Sequence, residues 1–159
     1  MIQEAAVIGL ISDTHGLMRK QALTALEGSD LIIHAGDVGK PEILDELRAV
    51  APVVAVRGNI DNGIWASQLP LTAVVEASLA RIYILHDLQQ LDPGRAAEFQ
   101  IIVSGHSHKP GQSERSGVLY VNPGSAGPRR FRLPITVARF NLRRAPWRVE
   151  FIELLDGET

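Results

Sequence analysis

The 159-residue chain contains no cysteine. That absence excludes a disulfide framework, a thiolate zinc finger, an iron–sulfur cluster and a cysteine nucleophile, so any metal must be held by nitrogen and oxygen. The sequence also has no apolar run approaching the roughly 18 residues of a membrane span, and no membrane partner is expected. Met1-Ile2-Gln3-Glu4 carries an acid and no basic segment, and the apolar run behind it breaks at Ser12-Asp13. This reads as a buried strand rather than a secretory leader, and a cytoplasmic location is the resulting expectation. Repeats, low-complexity tracts and linkers are missing too, so the expected organisation is a single domain over residues 1–159.

Charge is unevenly spread. Residues 1–128 carry nine Lys or Arg against fourteen Asp or Glu, net −5, whereas residues 129–159 carry seven against four, net +3. All seven late cations are arginines between Arg129 and Arg148, a stretch without an acid. Such a stretch suits phosphate-bearing ligands, whose oxygens match the guanidinium fork; it also suits the solvated face of a half-buried sheet. The alternation in Trp147-Arg148-Val149-Glu150-Phe151 favours the sheet face, with Trp147, Val149 and Phe151 on one side. The acidic remainder weighs against a nucleic-acid partner.

Apolar periodicity gives the elements. Ala6 to Ile11, Leu31 to Ala35 and Val53 to Val56 read as buried strands, separated by helices over Met18 to Glu27, with Gly28 as cap, and from Pro41, with Ile43, Leu44, Leu47 and Val50 as its stripe. This β-α-β-α-β order implies right-handed crossovers and a parallel sheet. The second half is richer in strands: Thr72 to Ala77, Arg81 to Leu85, Ile101 to Ser104, Val118 to Val121, Ile135 to Phe140 and Trp147 to Ile152, with a short helix from Asp92-Pro93 toward Phe99. The expected fold is α/β, two stacked mixed sheets flanked by helices.

Polar residues collect where these strands end. Asp13 and His15 follow the first, Asp37 the second, Asn59 and Asp61 the third, His86 and Asp87 the fifth, His106 and His108 the sixth. In an open α/β sheet the carboxyl ends of neighbouring strands form one crevice, so these groups can converge. Each is weak alone, and His34, inside a strand, reads as a satisfied core histidine. Together Asp13, His15, Asp37, Asn59, His86, His106 and His108 are seven candidate ligands, more than one ion with open positions would use. Imidazole with carboxylate and amide oxygen suits manganese, iron, cobalt, nickel or zinc, and two such ions point to hydrolysis at phosphorus.

The blocks Ser12-Asp13-Thr14-His15-Gly16, Gly36-Asp37-Val38, Arg57-Gly58-Asn59-Ile60-Asp61, His86, Gly105-His106-Ser107-His108 and Asn122-Pro123-Gly124-Ser125 span about three quarters of the chain. In that order they resemble the calcineurin-like metallophosphoesterases, and among these the small bacterial and archaeal phosphodiesterases. The resemblance implies an αββα sandwich with helices on both outer faces. It places Asp13, His15 and His108 on one divalent ion, Asn59, His86 and His106 on the other, and Asp37 between them, manganese being the expected metal. It further implies hydrolysis of a small phosphodiester by a hydroxide held between the ions, with Asp37, Asn59 and His86 as the catalytic set. Asn59 would reach a phosphate oxygen, Arg57 and Arg129 are further substrate contacts, and the Asn122 to Ser125 loop would orient a ligand histidine.

Two departures matter. Larger relatives have histidine after the block's asparagine, where it protonates the leaving oxygen; this chain has Ile60, as the small phosphodiesterases lack that histidine too, and no general acid is identified. Asp61 is a candidate acting through water. Asp87 replaces the family's glycine, and aspartate tolerates the left-handed backbone that a glycine would supply there. A phosphomonoesterase is the alternative activity, and a protein-binding scaffold, as in a membrane-trafficking coat subunit of this fold, the alternative class. Specificity is expected from the loops Asn62 to Pro70 and Arg115 to Gly117, and pairing of late strands between subunits would make a homo-oligomer.

Overall fold

A computed structural model describes residues 5–77 and 79–154, so the expectation for Met1 to Glu4 lies outside the described residues. Ten strands form two five-stranded sheets. The first has the order β10-β9-β1-β2-β3, with β1 (Val7–Ile11), β2 (Leu31–His34), β3 (Val53–Ala55), β9 (Thr136–Asn141) and β10 (Glu150–Glu153). The second has the order β4-β5-β6-β8-β7, with β4 (Thr72–Glu76), β5 (Arg81–Leu85), β6 (Ile101–Val103), β7 (Gly111–Arg115) and β8 (Val118–Asn122). Within the first, β1, β2 and β3 run parallel; within the second, β5, β6 and β8 do.

The period-2 pattern of the strands builds the core. Ile8, Leu10, Leu31 and Ile33 of the first sheet meet Ile82, Ile84, Ile101, Val103, Leu119 and Val121 of the second, all buried in one cluster between the sheets. Alternate residues, Ile11 and Ile32 among them, face outward onto α1 (Lys20–Ala25) and α2 (Pro41–Arg48), whose Ala22, Ile43, Leu44 and Leu47 cover the first sheet. Trp147, Val149 and Phe151 all pack on the inter-sheet cluster, as their alternation requires, although the paired strand starts only at Glu150.

The expected helical layer on the second sheet is instead two 3-10 segments, Leu88–Gln90 and Pro93–Glu98, with Phe99 stacked on Tyr83 at 4.7 Å. Asp92 does cap the second segment by accepting from the Gly94 N–H at 2.9 Å, but six residues containing Gly94 offer too little apolar surface to propagate an α-helix. Two elements went unread in the sequence. The helix α3 (Ile64–Ser67) is a single turn, and β7 is exposed along its whole length, so neither has a buried stripe.

The arginine-rich tail has a structural role at one position. Arg139 of β9 donates to the carbonyls of Ala25 and Glu27, both at 3.0 Å, and so satisfies the end of α1. Arg139→Ala is expected to lower unfolding free energy by about 1–3 kcal/mol in urea titration, whereas Arg130→Ala, at an exposed position, should stay within about 0.5 kcal/mol.

Candidate metal centre

The parallel strands of each sheet end on the same edge of the sandwich. Asp13, Asp37 and Asn59 follow β1, β2 and β3, while His86 and the loop bearing His106 and His108 follow β5 and β6. The loops are zipped together: Asp13 N–H donates to Gly36 O and His15 N–H to Asp37 O, each at 3.0 Å, and Gly105 N–H donates to His86 O at 2.9 Å. The sheets are then joined through the candidate ligands. The His86 Nδ1 lies 2.7 Å from Ala35 O, and the His106 N–H donates to Asp13 Oδ2 at 3.1 Å.

Asp13 is fully buried. Its Oδ2 also accepts from the Ser12 hydroxyl at 2.7 Å, leaving Oδ1 to face three imidazoles. The Nε2 of His108 lies 3.4 Å from that oxygen, and those of His15 and His86 lie 3.8 Å from it. Asp37 divides its oxygens similarly. Oδ1 accepts from the Ile60 N–H at 3.1 Å, and Oδ2 sits between His86 Nε2 at 3.3 Å and His15 Nε2 at 3.5 Å. Two donor groups thus form, Asp13-His15-His108 and Asp13-Asp37-His86, each with its atoms within 4.8 Å of one another.

These separations suit a cation. Two donors about 2.1 Å from a tetrahedral ion lie about 3.4 Å apart. Asp13 Oδ1, His15 Nε2 and His86 Nε2 are buried and have no hydrogen-bond partner, a costly state that a divalent ion at their focus would relieve. Charge is arranged to match. Burial pushes the Asp13 carboxyl up, but the His108 and His15 imidazoles and the Ser12 hydroxyl outweigh it and hold Asp13 well below the usual carboxylate range. Asp37 is likewise lowered, burial being overcome by His86 and the Ile60 N–H. His86 is raised, because Asp37 and Asp13 outweigh its burial.

His106 is exposed and meets the buried donor His86 edge to face, with ring centroids 5.2 Å apart, and Asn59 lies nearby. With Arg57, His86 and Leu71 they line an adjoining cavity of about 300 Å³ at the mouth of the site. Arg129 is not among its lining residues; its guanidinium donates to Leu133 O within its own loop.

Five of the seven candidate ligands adopt left-handed backbone: Asp13, His15, Asp37, His106 and His108, with φ between 48° and 72°. Each such residue costs on the order of 1 kcal/mol, and the inter-loop bonds over-determine the conformation. The glycines between them are there for space. A Cβ at Gly36 would lie 2.7 Å from His86 Nδ1, and one at Gly58 or Gly105 would collide with Asp37 or Ser12 respectively.

Three expectations need correction. Asp61 is buried and both its oxygens are occupied, accepting from the N–H groups of Val38, Gly39 and Gly58 at 2.9–3.1 Å. It ties the Asp37 loop to the Asn59 loop and has no face toward a substrate proton. Asp87 is not left-handed: φ is −110°, and its Oδ1 accepts from the Gln89 N–H to cap a 3-10 turn, while Oδ2 turns toward His106 Nε2 at 4.0 Å. Among the described residues the Asn122 loop makes no hydrogen bond to an imidazole. Asn122 donates to Gly105 O and Ser107 Oγ, holding the histidine loop by its backbone, and the Ser125 hydroxyl donates to Asp13 O at 3.0 Å.

His34 is in the core, as expected, and also serves the site. Its Nδ1 accepts from the Gly36 N–H, so Nε2–H faces Thr14 Oγ1 at 3.0 Å, and Thr14 donates to Val38 O. Sequence reasoning missed this link, because nothing local pairs a strand histidine with a threonine in another loop.

Two outcomes are expected. Complete burial pushes the His34 imidazole down to about 4 from 6.5, so between pH 6.5 and 4 only the unfolded chain takes up this proton. Metal-free protein in EDTA should therefore lose stability on acidification across that window, by up to about 1.4 kcal/mol per pH unit, and His34→Gln should flatten the slope in urea titrations. Asp61→Ala should cost about 2–4 kcal/mol of stability and weaken Mn²⁺ binding; a variant with unchanged stability and lost turnover alone would return Asp61 to proton transfer.

Comparison with known proteins agrees with this geometry. The model of the calcineurin-like phosphoesterase superfamily domain matches residues 7–145. A protein named "probable metallophosphoesterase" from Methanothermobacter thermautotrophicus is 34% identical over 132 residues, covering 75% of this chain and 76% of that one. In fold, a predicted phosphoesterase of Streptococcus pneumoniae TIGR4 is similar with TM-score 0.72 at 23% identity, covering 98% of this chain and 95% of that one. Vps29 of Chaetomium thermophilum gives TM-score 0.73 at 21% identity, covering 93% and 97%. The chain belongs to the calcineurin-like phosphoesterase superfamily, in its small prokaryotic-type subgroup.

Proposed function

We propose that this metal-dependent phosphoesterase hydrolyses phosphodiesters of small molecules with two divalent transition-metal ions, manganese first among them. The observation that carries the reading is the pair of buried carboxylates, Asp13 and Asp37, each with one oxygen satisfied by the protein and the other turned to imidazole Nε2 atoms. Asp13, His15 and His108 would hold one ion, and Asn59, His86 and His106 the other, with Asp37 as the carboxylate common to both. Bound there, two cations supply Lewis-acid neutralisation of phosphate charge and a water acidic enough to attack phosphorus at neutral pH.

The chain's own groups do the rest. Asn59 and Arg57 line one cavity with His86, so an amide donor and a guanidinium would be at hand for the oxygens of a phosphate bound beside the ions. The Ala35 carbonyl beside His86 Nδ1 orients that ring and directs Nε2 inward. Ile60 offers no proton to a leaving oxygen and Asp61 is fully engaged, so leaving groups of low pKa are favoured. A second reading, a protein-binding scaffold, draws on the likeness to Vps29; a purified protein that takes up no transition metal would support it.

Paired kinetics on bis(p-nitrophenyl) phosphate and p-nitrophenyl phosphate with Mn²⁺, Ni²⁺, Zn²⁺ and Mg²⁺ decide the activity. The expected result is diester preference with Mn²⁺; monoester preference overturns the diesterase reading. Asp37→Ala should cut turnover at least about a hundredfold, with loss of bound metal by elemental analysis.

A further inference from the structure

A second cavity, of about 440 Å³, lies on the other side of His106 and Asp87, which line both it and the cavity holding Arg57 and Asn59. Its wall is the β7–β8 hairpin. Register pairs Gly111 with Asn122, Ser113 with Tyr120 and Arg115 with Val118; since Val118 and Tyr120 belong to the outer apolar cluster of this sheet, Gly111, Ser113 and Arg115 share that outer face. This accounts for a strand with no apolar residue: β7 lines a polar trough. At the end nearest His106 it presents Gly111, where an added Cβ would meet nothing within 4 Å. Arg115 lies over the Tyr120 ring at 4.5 Å at the far end, and Lys109, next to His108 at the near end, lines the same cavity. Among the described residues neither Lys109 nor Arg115 has a carboxylate partner.

We infer that this trough is a subsite for one arm of the diester, and that the arm carries a second phosphate, which Lys109 and Arg115 bind. The inference rests on the phosphodiesterase reading. A phosphodiester has two ester groups, and the trough leads away from His106 on the side opposite Arg57 and Asn59, as one arm would. The trough's two cations lack counter-charges, and the open space at Gly111 admits the arm. Asp87 lines the trough at its His106 end, with one oxygen accepting from the Gln89 N–H and the other 4.0 Å from His106 Nε2. The substrate class is therefore a phosphorylated nucleoside or sugar in diester linkage, the shared chemistry being a dianionic phosphate on the arm.

The test compares the p-nitrophenyl ester of thymidine 5′-phosphate with and without a 3′-phosphate, on Mn²⁺-loaded protein. The 3′-phosphate should lower KM by about tenfold and change kcat by less than about twofold, as two partly exposed charge pairs allow. The double variant Lys109→Ala/Arg115→Ala should abolish the KM difference, Lys109→Arg/Arg115→Lys should keep it, and Gly111→Leu should abolish it by filling the trough. Equal KM values for the two esters in the wild type, or a preference that survives the double alanine variant, overturns the subsite. If the wild type hydrolyses neither ester, the phosphodiesterase reading has failed separately. Equilibrium dialysis with thymidine 3′,5′-bisphosphate then decides: binding lost in the double alanine variant supports the subsite, and absent or unaltered binding overturns it.

Discussion

The Asp13 carboxylate is the interaction on which the rest of the site depends. A fully buried anion is costly unless hydrogen bonds and opposite charge surround it. Here Oδ2 takes the Ser12 hydroxyl from its own strand end and the His106 N–H from the other sheet, while the Asp13 carbonyl takes the Ser125 hydroxyl from the loop after β8. Three chain segments therefore meet on one residue, and the sheets are held in register at the edge where the candidate ligands collect. Oδ1, left over, is the atom that the imidazoles face.

Such convergence demands backbone geometry that most residues avoid. Asp13, His15, Asp37, His106 and His108 all have positive φ, and of these Asp13, Asp37 and His108 are buried while His106 stays exposed. The conformations persist because neighbouring loops bond to one another in pairs, with His34 and Thr14 on one side and Asp61 on the other acting as cross-ties. Preorganisation of this kind leaves little to rearrange when a cation arrives, since the donors already stand near ligand–ligand separation.

In the proposed function the same scaffold would separate chemistry from selectivity. Residues that converge on the charge lie on loops clamped between the sheets. The surfaces that would meet the rest of a substrate lie further out, on the exposed β7–β8 hairpin and around Arg57 and Leu71. Likeness in fold to both a predicted phosphoesterase and Vps29 shows that the sandwich does not by itself dictate a role.

The fold was largely legible because buried strands announce themselves: Ile8 to Ile11, Leu31 to Ile33 and Ile101 to Val103 are runs that only an interior can hold. Where the interior was not involved, the signal vanished. Strand β7 has polar residues on both faces, and Pro93–Glu98 carries a cap and a proline but too little apolar surface to become α-helix. Seven candidate ligands were legible as polar residues at strand ends. Their supports were not, because Asp61 and Ser125 sit in the same blocks looking like reactive or imidazole-orienting groups, and only the positions of the Val38, Gly39 and Gly58 N–H groups and of Asp13 O show what they hold. By itself the sequence determined which side chains are candidates for the chemistry and that they sit at strand ends, where most of them gather. The tertiary structure decided which oxygen of each carboxylate is spent on the protein and which is left for a ligand, because that division is made by hydrogen bonds between segments as much as 112 residues apart, which no local pattern encodes.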